Sequence, residues 1–266
     1  MSFVNLNYQA ENSKNSKSPN KKNLLSGIFR IKTRNLNFDM LTINSDDSSI
    51  VNRFWDDNFE DFTLEKWCDW TSQDGIHIDV GAHTGLFTLA ALKSNKKNVV
   101  VAIEPFDLNY HRIITNLRLN GFDNTRVNLF NLAVSNENKE VKFEIKTPWS
   151  YLSKGGKISN QGINIKAIKL DSINFNPNIK IVSLKIDTEG EDFSVLEGSK
   201  NLIKTNMPNL VIETRPNNIV KILNFMNSLG YKNIYDKFNK RFGEEEIYKF
   251  ENNKNVKDIF CEKSSL

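Results

Sequence analysis

Apolar and polar residues follow two distinct rhythms along the second part of the chain. Short apolar segments, which predict strands, lie at 76–79, 98–104, 127–132, 182–186 and 210–212. Segments whose apolar residues recur about every 3.6 positions, which predict helices, lie at 86–93, 107–120 and 218–229. Further strands are predicted near Ile234 and Ile259. Strands that alternate with helices predict an α/β protein with a doubly wound, mostly parallel sheet.

The region from 127 to 168 departs from this alternation. The strand at 127–132 is expected to form one arm of a hairpin that turns at 136–138, and alternating apolar residues from Val141 to Ile145 predict the other arm. A loop at 149–162 precedes another alternating strand at 163–168. Asp107 is expected to cap the helix that follows the second predicted strand.

The N-terminal part of the chain divides in two. Residues 1–23 are rich in Asn, Ser and Lys, which predicts a disordered basic tail. Residues 24–74 predict an extension with short strands and aromatic-rich helices, in which Phe62, Trp67 and Trp70 have the spacing of a packed helical face. The α/β domain is then predicted to occupy residues 75–266.

A glycine turn follows the first strand of that domain. Asp79 ends the strand, Gly81 and Gly85 lie four residues apart, and Glu104 ends the next strand. The two glycines permit a tight turn and a close approach of backbone N–H groups to a ligand. Glu104 is placed to accept hydrogen bonds from both hydroxyls of a ribose.

The turn does not have the G-x-G-x-x-G spacing that binds a pyrophosphate. A carboxylate at Asp79 would repel a phosphate, but it could accept a hydrogen bond from an α-ammonium group. S-adenosylmethionine, with an amino-acid end and an adenosine end, fits both acids. The alternative is an ordinary βαβ turn whose glycines serve only packing.

The composition of the chain disfavours some classes of binding partner. The net charge of the 266 residues is +4 without a concentrated basic stripe, so nucleic-acid binding is not favoured. Cys68 and Cys261 lie far apart, have no metal-ligand spacing and are expected to be free thiols. No apolar run approaches the roughly twenty residues of a membrane span, and a cytoplasmic protein is expected.

Residues 75–261 resemble the FkbM-type methyltransferases. The resemblance rests on Ile78–Gly85, Ile103–Pro105, Asn116 with Asn120, Ala133–Ser135, Leu170–Asp171, Leu184–Gly190, Val195–Gly198 and Pro208–Glu213. It implies a class I methyltransferase fold with a seven-stranded sheet, S-adenosylmethionine as cofactor, and methyl transfer to a hydroxyl of a sugar or glycoconjugate. His83 stands where the family commonly has Asn, and Asp192 where it commonly has Glu.

The resemblance also implies roles for individual residues. The expected cofactor-binding residues are Asp79, Gly81, His83, Gly85, Glu104, Ala133 and Ser135. The expected catalytic residues are Asp187, Glu189 and Glu213. A base must take the proton of the acceptor hydroxyl, and Asp187 is the first candidate and Glu213 the second. Lys185, a charged residue in an apolar strand, is expected to pair with a nearby acid, and no metal is expected.

The acceptor is expected to be a small molecule or glycan bound by segments outside the regular alternation. Trp149 and Tyr151 in the loop at 149–162 offer faces on which a sugar ring can stack, although they could equally pack on the sheet. Two other interpretations stay open. One is an RNA ribose 2′-O-methyltransferase, and the other is a cofactor-binding interaction module without turnover.

Overall fold

The structure is a computed structural model that describes residues 25–55, 61–145, 156–243, 247 and 257–263. The predicted tail at 1–23 and the predicted acceptor residues Trp149 and Tyr151 lie outside these ranges. Within the described ranges, no helix has the length and apolar character needed to cross a membrane.

A seven-stranded sheet forms the centre of the fold. Its strands are β3 (Ile76–Val80), β4 (Val99–Ile103), β5 (Val127–Phe130), β10 (Ile181–Ile186), β11 (Asn209–Thr214), β12 (Asn233–Asp236) and β13 (Lys257–Glu262). Their order across the sheet is β12-β13-β11-β10-β3-β4-β5, and β13 pairs antiparallel with both its neighbours. The other four pairings are parallel. The predicted doubly wound, mostly parallel sheet is confirmed.

Helices cover both faces of this sheet. The described helices are α1 (Ser48–Trp55), α2 (Asp61–Thr71), α3 (Leu86–Ser94), α4 (Asp107–Leu119), α5 (Asp192–Glu197), α6 (Lys200–Asn206) and α7 (Ile219–Ser228). One apolar cluster joins α5, α6 and α7 to one face, and a second joins α2, α3 and α4 to the other. The sheet face that the second cluster covers also carries charged residues.

The N-terminal extension belongs to the second cluster. Its strands β1 (Gly27–Thr33) and β2 (Leu36–Thr42) form an antiparallel hairpin whose Ile31, Phe38 and Met40 pack with α2 and α3. Trp67 and Trp70 of α2 are buried, as the spacing predicted, and the indole of Trp67 donates to the carbonyl of Phe87. The extension and the sheet therefore share one core, while a domain boundary near residue 75 stays a prediction.

Asn116 of α4 and Asn120, the residue that caps the end of this helix, attach the hairpin to α4, and Asn116 also reaches the glycine turn. The side chain of Asn116 accepts from the N–H of Leu41 and donates to the carbonyl of Thr84. Asn120, one helical turn later, pairs in the same way with both backbone groups of Asp39. Each amide thus pairs with backbone groups of β2, and this explains why both positions carry Asn.

The predicted hairpin at 127–145 is wrong. The strand β5 lies in the main sheet, whereas β7 (Lys139–Glu144) belongs to a separate four-stranded sheet with β6 (Ala133–Val134), β8 (Lys157–Ser159) and β9 (Ile163–Ile168). The strand order in this sheet is β6-β9-β7-β8. Alternation along a strand predicts its faces but not its partner, and β7 pairs with β8 and β9. Asp107 is likewise the first residue of α4 and not its cap, which is Phe106.

Candidate active site

The register of the main sheet brings the predicted acids to one edge. Across the strands, Asp79 pairs in register with Ala102 on one side and with Lys185 on the other. Glu104, Gly81 and Asp187 lie two residues after Ala102, Asp79 and Lys185, respectively, and on the same face of the sheet. Glu213 of β11 continues this row and is the register partner of Asp258. The carboxyl ends of these parallel strands therefore share one rim.

A cavity of about 240 Å³ opens at this rim. The predicted site residues that line it are Gly81, His83, Glu104, Ala133, Asp187, Glu189 and Glu213. Its apolar part includes Phe106, Leu132 and Val134, while its acidic part includes Glu191 beside the predicted acids. The cavity thus has an apolar end suited to a flat ring and an end rich in carboxylates.

The carboxylate of Glu104 already accepts three hydrogen bonds from the protein. The donors are the N–H of His83 at 2.8 Å, the N–H of Phe106 at 3.0 Å and the amide of Asn109 at 3.3 Å. An ionised carboxylate has about four acceptor positions, so roughly one is left for a ligand hydroxyl. Burial raises the pKa of Glu104 to about 7, although these donors oppose the shift.

Backbone N–H groups of the glycine turn already have acceptors within the protein. The N–H groups of Gly81 and Ala82 donate to the carbonyl of Ile103, and that of Gly85 donates to Ala82. Together with His83, these N–H groups are therefore not available to a ligand, contrary to the expectation from the sequence. The glycines serve geometry instead. Gly81 has φ 77°, and a Cβ there would lie 1.7 Å from the backbone oxygen of Asp187.

His83 occupies a left-handed backbone position with φ 51°. Asn and His are both enriched in this region among residues other than glycine. The departure from the family's usual Asn therefore keeps a residue that tolerates the turn. Thr84 Oγ1 lies 3.3 Å from His83 Nδ1.

Three predicted cofactor residues do not line the cavity. Asp79 is fully buried, and its Oδ2 accepts from Thr88 Oγ1 at 2.7 Å. Gly85 lies at the start of α3 with φ 94°, and it packs against Ile113 of α4. Ser135 is buried, and its carbonyl lies against Gly198, where a Cβ would approach it to 2.0 Å. The predicted direct contacts of these three with the cofactor stay predictions.

The acids at the rim have different partners. Asp187 Oδ2 lies 2.9 Å from Lys185 Nζ, which confirms that Lys185 pairs with a nearby acid. Glu189 forms an ion pair with Arg215 at 3.1 Å. No such pair is found for Glu213 among the described residues. Its pKa is raised well above the ordinary value by burial and by the carboxylates of Asp187, Asp192 and Glu189.

These differences separate the chemical roles of the two candidate bases. The raised pKa of Glu213 favours its protonated form, which donates a hydrogen bond. Asp187 lies beside a cation, and 38% of its side chain is exposed. Within the described ranges, no group of three or more His, Cys, Asp or Glu side chains is arranged to hold a metal ion.

Reasoning from the sequence did not single out several residues of the cavity wall. Ser48 and Ser49 reach it from the first turn of α1, and Phe143 and Ile158 reach it from the small sheet. Their distance along the chain from the glycine turn gave no signal. Lys185 also lines the cavity, and its charge within an apolar strand was the available sign.

Residues 79–232 match the family model described as the methyltransferase FkbM domain. This match covers more than half of the chain. The chain belongs to the FkbM methyltransferase family. The family uses S-adenosylmethionine, so the predicted enzyme class and cofactor are confirmed together with the class I methyltransferase fold. No curated protein sequence matches the chain.

One solved structure with a TM-score above 0.5 agrees with this fold. The FkbM chain is similar to the crystal structure of methyltransferase FkbM from Methylobacillus flagellatus KT, with a TM-score of 0.51 and 16% identity. The likeness covers 81% of this chain but 55% of that one, so this chain spans about half the length of its structural relative. A precorrin-6y C5,15-methyltransferase from Geobacter metallireducens GS-15 has a TM-score of 0.42 and 15% identity over 77% of this chain and 89% of that one.

The cavity fits the cofactor of an FkbM enzyme. The remaining acceptor position of Glu104 suits a ribose hydroxyl, and the apolar walls formed by Phe106, Leu132 and Val134 suit an adenine ring. The carboxylates at the opposite end suit the positive charges of a sulfonium and an ammonium group. The donor set of the rim therefore agrees with the family assignment.

Proposed function

We propose that this chain transfers a methyl group from S-adenosylmethionine to a hydroxyl of a sugar or glycoconjugate, with Asp187 as the general base. The observation that carries the proposal is the half-exposed carboxylate of Asp187 inside the cavity, paired with a buried cation. When bound, S-adenosylmethionine supplies an electrophilic methyl group. Asp187 accepts the proton of the acceptor hydroxyl, which makes its oxygen a better nucleophile.

The other two acids have supporting roles in this proposal. Glu213 keeps its proton and donates a hydrogen bond, which helps to orient the acceptor. Glu189 forms an ion pair with Arg215, has a backbone φ of 56° and borders the same cavity. Asp79, Gly81, His83, Gly85, Ala133 and Ser135 shape the cofactor side, either at the cavity wall or directly behind it.

The acidic rim supports a hydroxyl-rich acceptor over RNA. Asp187, Glu189 and Glu191 line the cavity, and carboxylates here would repel a phosphate backbone. Carboxylates accept hydrogen bonds from the hydroxyl groups of a sugar. Stacking of a sugar ring on Trp149 and Tyr151, and a cytoplasmic location, complete the proposal as they were expected from the sequence.

A direct test measures transfer from S-adenosylmethionine labelled in its methyl group. The purified protein is incubated with sugar-nucleotide, glycolipid and capped-RNA pools, and the labelled product is hydrolysed to locate the methyl group. We expect label on a sugar hydroxyl. Label on RNA ribose would replace the proposal with the 2′-O-methyltransferase, and saturable cofactor binding without label in any pool would favour the interaction module.

The affinity for S-adenosylhomocysteine is expected to fall as the pH drops below 7. Ribose hydroxyls donate to the ionised carboxylate of Glu104, so binding lowers a pKa that burial has raised to about 7. Above that pH the carboxylate is already ionised, and below it binding must release a proton. The affinity then falls by up to about tenfold per pH unit. Calorimetry between pH 5 and 8 measures this dependence.

The control is Glu104→Gln, which keeps the shape of the side chain but cannot titrate. Its affinity should be lower above pH 7, by about 1.5–3 kcal/mol for a lost hydrogen bond to a charged group. It should also be nearly constant over this range. A wild-type affinity as flat as that of the variant would exclude Glu104 as the ribose acceptor.

A further inference from the structure

A buried ion pair lies directly beneath the proposed base. Asp79 on β3 and Lys185 on β10 are register partners, so their side chains leave the sheet on the same face. Lys185 Nζ lies 3.8 Å from Asp79 Oδ1 and 2.9 Å from Asp187 Oδ2. The three charges therefore form a row from the interior to the cavity.

Exposure rises along this row. The side chain of Asp79 is 0% exposed, that of Lys185 is 6% exposed and that of Asp187 is 38% exposed. Asp187 is therefore the member of the row that is most accessible to an acceptor. Lys185 still reaches the cavity wall, whereas Asp79 does not line the cavity.

The inner members of the row are held in place by α3. Thr88 Oγ1 donates to Asp79 Oδ2, and the ring of Phe87 lies 4.9 Å from Lys185 Nζ. Burial alone would lower the pKa of Lys185, but the carboxylates of Asp187 and Asp79 outweigh it, and the pKa is raised. The ammonium form of Lys185 is thus favoured, whereas burial raises the pKa of Asp79 although the charge of Lys185 opposes this shift.

Such a pair has no clear benefit for stability alone. Replacement of a buried ion pair by apolar side chains of similar volume is often neutral or stabilising, whereas loss of one partner is strongly destabilising. Every other residue of β10 is apolar apart from Ser183, and an apolar residue at 185 would suit the strand equally well. The place of the pair beneath Asp187 indicates a role in the reaction.

We propose that Lys185 is a positioning residue whose ammonium group, held by Asp79 from the interior, fixes the carboxylate of Asp187 toward the acceptor. This proposal rests on the proposed role of Asp187. It also gives Asp79 a different task from the cofactor contact expected from the sequence. Asp79 neutralises and locates a cation, and it need not touch the cofactor at all.

The test uses a double variant, because Lys185→Met by itself leaves Asp79 buried without its cation. In the double variant Asp79→Asn with Lys185→Met, both charges are removed at nearly constant volume. We expect its melting temperature to recover relative to Lys185→Met. We expect its affinity for S-adenosylhomocysteine to stay close to wild type, while kcat stays reduced on the order of 10²-fold, the size typical of a misplaced reacting group.

Two further variants complete the comparison. Lys185→Arg keeps the charge and should recover part of kcat, which a purely structural role would not explain. Lys66→Met is the matched control, because Lys66 also pairs with an acid, Glu262 at 3.3 Å, and neither residue lines the cavity. It should leave kcat unchanged.

The outcomes separate this inference from the proposed function. A folded double variant that turns over at the wild-type rate would overturn the role of Lys185, and so would one that loses cofactor affinity as much as kcat. Asp187→Asn is measured in parallel. If Asp187→Asn has the wild-type kcat, the proposed base is wrong. If Asp187→Asn has a reduced kcat and the double variant has the wild-type kcat, only the inference about Lys185 is overturned.

Discussion

Asp187→Asn is expected to reduce kcat on the order of 10²–10⁴-fold, the usual contribution of a general base. Asparagine keeps the size of the side chain and can still contact Lys185, but it cannot accept the proton of the acceptor hydroxyl. The backbone of Asp187 packs against Gly81, but among the described residues its side chain makes no hydrogen bond to Glu104 or to the glycine turn. The affinity for S-adenosylhomocysteine should therefore stay close to wild type, and calorimetry beside steady-state kinetics measures both quantities.

The matched variant is Glu213→Gln at the neighbouring position of the rim. Because Glu213 keeps its proton, Gln preserves a hydrogen-bond donor there, and we expect a smaller loss of kcat than for Asp187→Asn. The reverse order of the two effects would identify Glu213 as the base. Equal and small effects would mean that orientation of the acceptor alone carries the reaction.

The second large effect is expected for Gly81→Ala. The backbone at Gly81 has φ 77°, and a Cβ would lie 1.7 Å from the carbonyl oxygen of Asp187 and 2.8 Å from its carbonyl carbon. Neither atom belongs to a side chain that could move away, so β3 and β10 must separate at the rim. Strain and overpacking together predict a loss of roughly 2–5 kcal/mol in the free energy of unfolding, measured by denaturant titration.

Gly121→Ala is the control for the backbone strain. Gly121 has φ 72°, nearly the same as Gly81, but no atom lies within 4 Å of the added Cβ. Its loss should be about 1–2 kcal/mol, the cost of the left-handed conformation alone. Similar losses for both variants would show that the rim yields easily, and the close contact between Gly81 and Asp187 would then not fix the site.

The parts of the site that the sequence predicted follow from strand ends. Asp79, Glu104, Asp187 and Glu213 each follow or end an apolar run, and parallel strands bring such ends to one edge. The prediction did not include the depth of each side chain. Asp79 and Glu104 look equivalent in the sequence, yet they lie in successive rows of the sheet. Two residues along a strand separate a buried carboxylate from one at the cavity.

Local sequence patterns could not predict the small sheet or the part of the cavity wall formed by α1. Val141 and Phe143 alternate correctly with polar residues, but strand partners depend on contacts that are distant in sequence. Ser48 and Ser49 reach the cavity because Asn116 and Asn120 hold the β1–β2 hairpin against α4. Nothing in the spacing of those asparagines along the sequence indicates the strand that they bind.

The shared core of α2 and the sheet sets a limit on protein engineering with this enzyme. The family match begins at residue 79 and ends at 232. Trp67 of α2 lies outside the matched segment, and its ring packs edge to face on Phe87 of α3 inside it, with ring centroids 6.2 Å apart. A chimera that exchanged only 79–232 between relatives would join each new sheet to a foreign aromatic cover. The small sheet is easier to exchange, because Ala133, Val141 and Ala167 form an apolar cluster of their own and, among the described residues of this sheet, only Val134 of β6 packs in the first large cluster.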